Sequence, residues 1–149
     1  MKERSIERRY YALVRGVPSD SGTIEAPIGR HPARRSLMAV VSGGRPSVTH
    51  YSVVESTDRL SLLDVKLETG RTHQIRVHLK HIGHPVLGDS LYGGKGELSR
   101  ELGLHRPFLH AFKLAVPKPD GSRIEVEGQL PEDLMEALGR ASVGPVGSR

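Results

Sequence analysis

Cysteine and tryptophan are both missing from these 149 residues, and aromatic side chains make up only 4%. Without cysteine there can be no disulfide and no thiolate metal site, which fits a reducing compartment. With so few rings, the core has to be built from Leu, Val, Ile and Ala. No apolar run approaches the roughly 20 residues of a membrane-spanning helix. Met1-Lys2-Glu3-Arg4 also lacks the apolar stretch of a signal peptide. The expectation is a soluble cytoplasmic protein with no membrane partner, long enough for one domain around a single core.

Charge is present but uneven. Lys and Arg total 22 against 17 Asp and Glu, a net charge of +5. Residues 1–50 hold nine basic and four acidic side chains, whereas 51–149 hold thirteen of each, so the whole excess lies in the first third. Arginine dominates there (Arg8, Arg9, Arg15, Arg30, Arg34, Arg35, Arg45), and its planar fork suits bidentate contact with phosphate. A solvated basic surface would give the same count.

Hydrophobic periodicity predicts many strands and few helices. Arg9–Arg15 reads as a strand ended by Gly16, and Pro18–Gly22 as a turn. Thr23–Ile28 is a short strand broken by Pro27, Gly29–Arg35 a basic loop, and Leu37–Val41 a strand. Val48–Glu55 and Leu60–Leu67 form a hairpin across Ser56–Arg59. From Thr72 the period changes: Ile75, Leu79 and Ile82 make a helical stripe, with Thr72 as N-cap and Gly83 and Pro85 as stop signals. Phe108–Val116 and Arg123–Glu127 pair around the turn Pro117–Gly121. Pro131–Gly139 is a C-terminal helix, and a small, Gly-rich tail runs from Ser142. The fold class is α+β, a mostly antiparallel mixed sheet with a few packed helices, one domain over 1–141 and a flexible tail over 142–149.

The densest chemistry lies in Glu68–Gly93. His73, His78, His81 and His84 suggest a metal, but no pair has the i, i+4 spacing and no acid lies between Arg71 and Pro85, so no metal site is expected. Gly93-Gly94-Lys95-Gly96 lacks the spacing of a phosphate-binding loop and reads as a flexible turn. Arg76 is harder to dismiss. It falls in the first turn of the helix beside core-facing Ile75, where a cation needs a carboxylate or phosphate partner. An ion pair with Asp64, Glu68 or Asp89 would satisfy it, as would a ligand.

Several segments in order resemble the RluA-type RNA pseudouridine synthases. Arg9-Tyr10-Tyr11-Ala12-Leu13-Val14-Arg15-Gly16 looks like that family's second motif, and Gly70-Arg71-Thr72-His73-Gln74-Ile75-Arg76 like its third. Gly22–Arg30, Met38-Ala39-Val40, Ser47–Tyr51, Gly88-Asp89, Leu91-Tyr92-Gly93 and Arg106–Ala111 follow the pattern in sequence, so the likeness runs from about Lys2 to Leu138. It implies uridine-to-pseudouridine isomerisation in RNA, with ribosomal RNA the expected partner and with no cofactor or metal. It also implies roles. Arg76 would pair with a catalytic aspartate, Tyr10 would stack on or beside the uracil, and Ile75 and Leu109 would supply apolar walls. Arg71, His73 and the loop Arg30–Arg35 would contact phosphates.

The family's aspartate stands in an H-R-L-D-x-x-[TS]-[ST]-G segment, and none of Asp20, Asp58, Asp64, Asp89, Asp120 or Asp133 has that context. The chain therefore reads as the C-terminal part of a catalytic domain, truncated on its N-terminal side and inactive alone. Arg76 is then half of an ion pair whose other half is missing. Self-association or dependence on a complementary N-terminal fragment is the physical corollary, because removing part of a sheet exposes apolar surface and an edge. An RNA-binding module without catalysis is the alternative, and an unrelated α+β domain with a structural ion-pair cluster a third reading.

Overall fold

A computed structural model describes residues 6–141, so the tail from Ser142 lies outside the described residues. Six strands form one sheet: β1 (Glu7–Arg15), β2 (Ser21–Glu25), β5 (Val48–Ser56), β6 (Leu60–Leu67), β7 (Leu109–Pro117) and β8 (Arg123–Glu127), in the order β2-β5-β6-β1-β7-β8. All five pairings in it are antiparallel. A two-stranded ribbon of β3 (Ile28–Arg30) and β4 (Met38–Val40) stands beside it. Three helices complete the described chain: α1 (Gln74–His81), α2 (Glu97–Glu101) and α3 (Glu132–Arg140).

Alternation along β1 explains why the sheet is covered on both sides. Its odd residues Tyr11 and Leu13 join Leu60, Leu62 and Phe108 against Leu134, Ala137 and Leu138 of α3. Its even residues Tyr10, Ala12 and Val14 join Leu63 and Val65 against Ile75 and Leu79 of α1. Ala12, Leu13 and Val14 are all fully buried, as expected of a central strand with layers on both faces. A third, smaller cluster of Ile28, Leu37, Val77 and Tyr92 fastens the β3–β4 ribbon to the outer side of α1.

Four sequence expectations need correction. The strand expected over Thr23–Ile28 is two strands in different sheets, because Ala26-Pro27 turns the chain out of the main sheet. Gly29 and Arg30 accordingly lie in β3, and the basic loop is shorter than Gly29–Arg35. The residue ahead of α1 is His73, not Thr72; its backbone is left-handed (φ 56°) and no side chain caps the helix. The Gly-rich turn leads into α2, which five residues were too few to announce. The end of α1 follows the sequence closely. Gly83 takes φ 88°, its N–H meets Lys80 O at 2.9 Å, and His84 N–H reaches back to Leu79 O at 2.9 Å. Those two bonds are a Schellman closure.

Candidate active site

The site is built where α1 leaves the sheet. A buried polar network fixes the helix first. Gln74 is 3% exposed; its amide nitrogen donates to Val48 O at 3.0 Å and to Thr49 Oγ1 at 2.9 Å. Its carbonyl oxygen accepts from Thr69 Oγ1 and from the Arg71 N–H, at 2.7 and 3.0 Å. Thr49 in turn donates to His78 Nδ1 at 2.8 Å, and His78 Nε2–H donates to Ala26 O at 2.9 Å. Each polar group has a partner, so the network locks the rotation of α1 about its axis. His78 is fully buried and structural, and burial pushes its pKa down.

That rotation sends neighbouring residues in different directions. Ile75 is buried in the apolar cluster beneath the helix, with Tyr10 and Leu109 packed at its margin. Arg76 turns to the other side. Its Nε and Nη2 meet Asp89 Oδ2 and Oδ1 at 2.8 and 2.9 Å, and its guanidinium lies 5.0 Å from the Tyr92 ring centroid. Hydrogen bonding to Asp89, above all, raises the pKa of Arg76 and holds it charged. Asp89 is fully buried, while the Arg76 side chain keeps 17% of its exposure.

This corrects the expectation that Arg76 lacks its partner within the chain. Asp89 reaches Arg76 from a tight turn, and the reason is visible in the backbone. The Asp89 carboxylate also accepts the N–H groups of Leu91 and Tyr92, and Gly94 closes the turn with N–H donation to Asp89 O at 2.8 Å. A Cβ on Gly94 would stand 1.6 Å from Val86 O, so only glycine lets the turn close. Of the three carboxylates that sequence spacing left open for Arg76, the fold selects Asp89. Asp64 is instead paired with Arg9. Nη1 of Arg76 has no hydrogen-bond partner among the described residues, which leaves one donor edge of the fork for a second anion.

His73 and Tyr92 extend the cluster. The Tyr92 hydroxyl accepts the Met38 N–H at 3.0 Å and meets His73 Nδ1 at 2.7 Å. Burial, then the nearby charges of Arg76 and Arg30, push the His73 pKa down. His73 is the one non-glycine residue with positive φ among the described residues, and its ring meets that of Tyr92 edge-on at 5.4 Å. Arg71 stands apart: its Nε and Nη2 are held on Pro46 O at 3.1 and 2.5 Å. Tyr92, Gln74 and Thr49 were not singled out from sequence. Gln74 alone carried a signal, a polar residue in the helical stripe one position before Ile75.

Among the described residues no group of three His, Asp or Glu side chains is placed to hold a metal ion. No described helix is long and apolar enough to cross a membrane. What the arrangement offers is a fixed, charged guanidinium held by Asp89 over the Tyr92 ring, on the helix whose next residue back, Ile75, is buried in the apolar cluster.

Comparison with known proteins places this six-stranded antiparallel sheet in a family of RNA pseudouridylate synthases. Residues 1–81 match the family model for RNA pseudouridylate synthase, and the chain belongs to that family. It is 50% identical over 139 residues to an uncharacterized RNA pseudouridine synthase of Mycobacterium bovis, covering 92% of this chain and 45% of that one. It is 46% identical over 150 residues to the ribosomal large subunit pseudouridine synthase D of Pseudomonas aeruginosa, covering 93% of this chain and 46% of the relative. Among solved structures it resembles human RNA pseudouridylate synthase domain containing 1. There the TM-score is 0.72 at 37% identity, over 87% of this chain and 57% of that chain. The chain thus spans about half the length of the curated relatives it matches.

Proposed function

We propose that this chain carries the arginine-bearing half of an active site that isomerises uridine to pseudouridine in RNA, and that the nucleophilic aspartate comes from polypeptide outside these 149 residues. The reaction breaks the N1–C1′ glycosidic bond, turns the uracil, joins C5 to C1′ and releases the C5 proton, so it needs no redox partner. An attacking carboxylate has to stay ionised in a largely desolvated pocket, and a neighbouring guanidinium keeps it so. Arg76 is suited to that role, because Asp89 consumes two of its donor groups and fixes the plane of the fork, and Nη1 remains for the incoming aspartate.

The observation that carries the reading is this half-used fork, one residue along α1 from Ile75, which packs in the apolar cluster that Tyr10 and Leu109 border. Tyr10 would lie against the uracil face, with Ile75 and Leu109 as apolar walls. Arg71, His73 and the segment Arg30–Arg35 would hold phosphates, and the target nucleotide would have to leave its stack to reach the floor, at a cost of a few kcal/mol. Ribosomal RNA is the substrate class suggested by relatives named for the large ribosomal subunit. Absence of cysteine supports a cytoplasmic setting. The chain alone would bind its partners without turnover, and would associate with itself or with a complementary aspartate-bearing fragment.

The test is release of tritium from RNA labelled as 5-³H-uridine. The chain alone should release none, and adding a fragment that supplies the aspartate should restore release. Tritium release by the isolated chain would overturn the division of the site.

A further inference from the structure

Beyond the uracil site lies a hollow of about 280 Å³ between the outer face of α1 and the β3–β4 ribbon. Its floor is apolar: Met38 is half-buried and Leu91 remains 44% exposed. Four basic side chains line it, His31 and Arg34 from the ribbon's loop and Lys80 and His81 from the last turn of α1, and no Asp or Glu does. Two other hollows lack this one-sided basic lining. The one against Tyr11 and Phe112 carries Glu127 and Glu132, and in the one lined by Asp58 and Glu101 the acids are balanced by Arg59 and Arg140.

The loop is held in a fixed shape. His31 Nδ1 accepts the N–H groups of Ala33 and Arg34 at 3.1 and 3.0 Å, and Leu37 N–H donates to Arg34 O at 2.8 Å. A neutral His31 therefore carries its proton on Nε2, a donor that the loop does not use. The hollow also shares a wall with the candidate active site, because Tyr92 lines it while its ring faces Arg76 and its hydroxyl holds Met38 and His73.

We infer that this hollow is a second nucleotide subsite, which takes an unpaired nucleotide flanking the one presented to Arg76. Its base or sugar lies on Met38 and Leu91, and its phosphate is held by Arg34 and Lys80 with the two histidines as further donors. An apolar floor ringed by cations fits a nucleotide better than a bare polyanion, which would leave Leu91 in water, or an acidic peptide, which has no flat ring to cover it. The inference rests on the RNA reading above and extends it to a site of its own.

The probe is a fluorescein-labelled single-stranded oligouridylate, titrated with the full 149-residue chain by fluorescence anisotropy across salt concentrations. Arg34→Ala with Lys80→Ala should weaken binding and lower the slope of log affinity against log salt by about 0.7, the loss of one neutralised single-strand phosphate. Leu91→Ser should weaken binding equally at every salt concentration, leaving the slope unchanged. Lys118→Ala, on the distant β7–β8 turn, should change neither. All four positions are exposed, and circular dichroism checks that each variant is folded. Unchanged affinity and slope in the double variant would overturn the subsite. So would competition by inorganic polyphosphate in which Leu91→Ser has no effect, since the hollow would then be an anion patch. Absence of any RNA binding by the unsubstituted chain would also overturn it, whereas the synthase reading stands or falls on tritium release.

Discussion

Arg76 and Asp89 face each other through two parallel hydrogen bonds of 2.8 and 2.9 Å, with the carboxylate fully buried and the arginine left a narrow opening to solvent. The pair turns an arginine next to an apolar floor from a liability into a fixed fork. Its worth is in the asymmetry of breaking it, since removal of one partner leaves a buried charge uncompensated.

Asp89→Asn should therefore destabilise the chain by about 3 kcal/mol, in the range for breaking a buried pair. Urea denaturation of the variant measures it. A loss below about 1 kcal/mol would place the pair with ordinary surface bridges.

The network behind α1 makes a second prediction. Thr49→Val removes the hydroxyl that joins Gln74 to His78 and leaves both without that partner in a dry interior. The expected cost is about 1–3 kcal/mol. Thr49→Ser should recover most of it, because it keeps the hydroxyl; equal destabilisation by Ser and Val would assign the effect to packing.

Stability should also depend on pH through His73 and His78, whose pKa values both lie below their ordinary 6.5, with burial the leading cause. The folded chain takes up these protons less readily than the unfolded chain. Their contribution is therefore complete above about pH 6.5 and declines as pH falls through the folded values. Urea midpoints between pH 8 and pH 5 should be flat and then drop. His78→Gln should make the drop shallower; an unchanged profile would remove His78 from the account.

The β7–β8 hairpin yields a fourth. Leu114 pairs with Val126, and these two and Ile124 are 41%, 56% and 52% exposed. Exposed apolar side chains on an edge hairpin favour association. Sedimentation should show concentration-dependent self-association that Ile124→Thr with Val126→Thr reduces. A chain that is monomeric before substitution would contradict the expectation.

Periodicity made the β5–β6 hairpin and the Ile75–Leu79 stripe of α1 readable, because both follow from local alternation. Three features were not. Ala26-Pro27 sends one apparent strand into two sheets, and whether a proline bends or ends a strand depends on the neighbours it would pair with. His73 precedes α1 in a left-handed conformation, which histidine adopts more often than most residues but too rarely to be read from sequence. The partner of Arg76 lies thirteen residues downstream, in a turn that closes only because Gly94 has no side chain. Sequence spacing offered Asp64, Glu68 and Asp89 alike, and only the fold's register, which spends Asp64 on Arg9, decides among them. The site residues were legible as types; their partners are tertiary.

The central claim is that Arg76 serves a carboxylate supplied from outside this chain. It is tested most directly by tritium release from 5-³H-uridine RNA with the chain alone, with an aspartate-bearing complementary fragment, and with that fragment plus Arg76→Lys. Urea denaturation of the variant checks that it is folded. The account predicts no release alone, release on complementation, and a loss of about 100-fold or more with lysine, which keeps the charge but loses the planar fork. Release by the isolated chain, or full activity of the folded Arg76→Lys variant in the complemented assay, would contradict it.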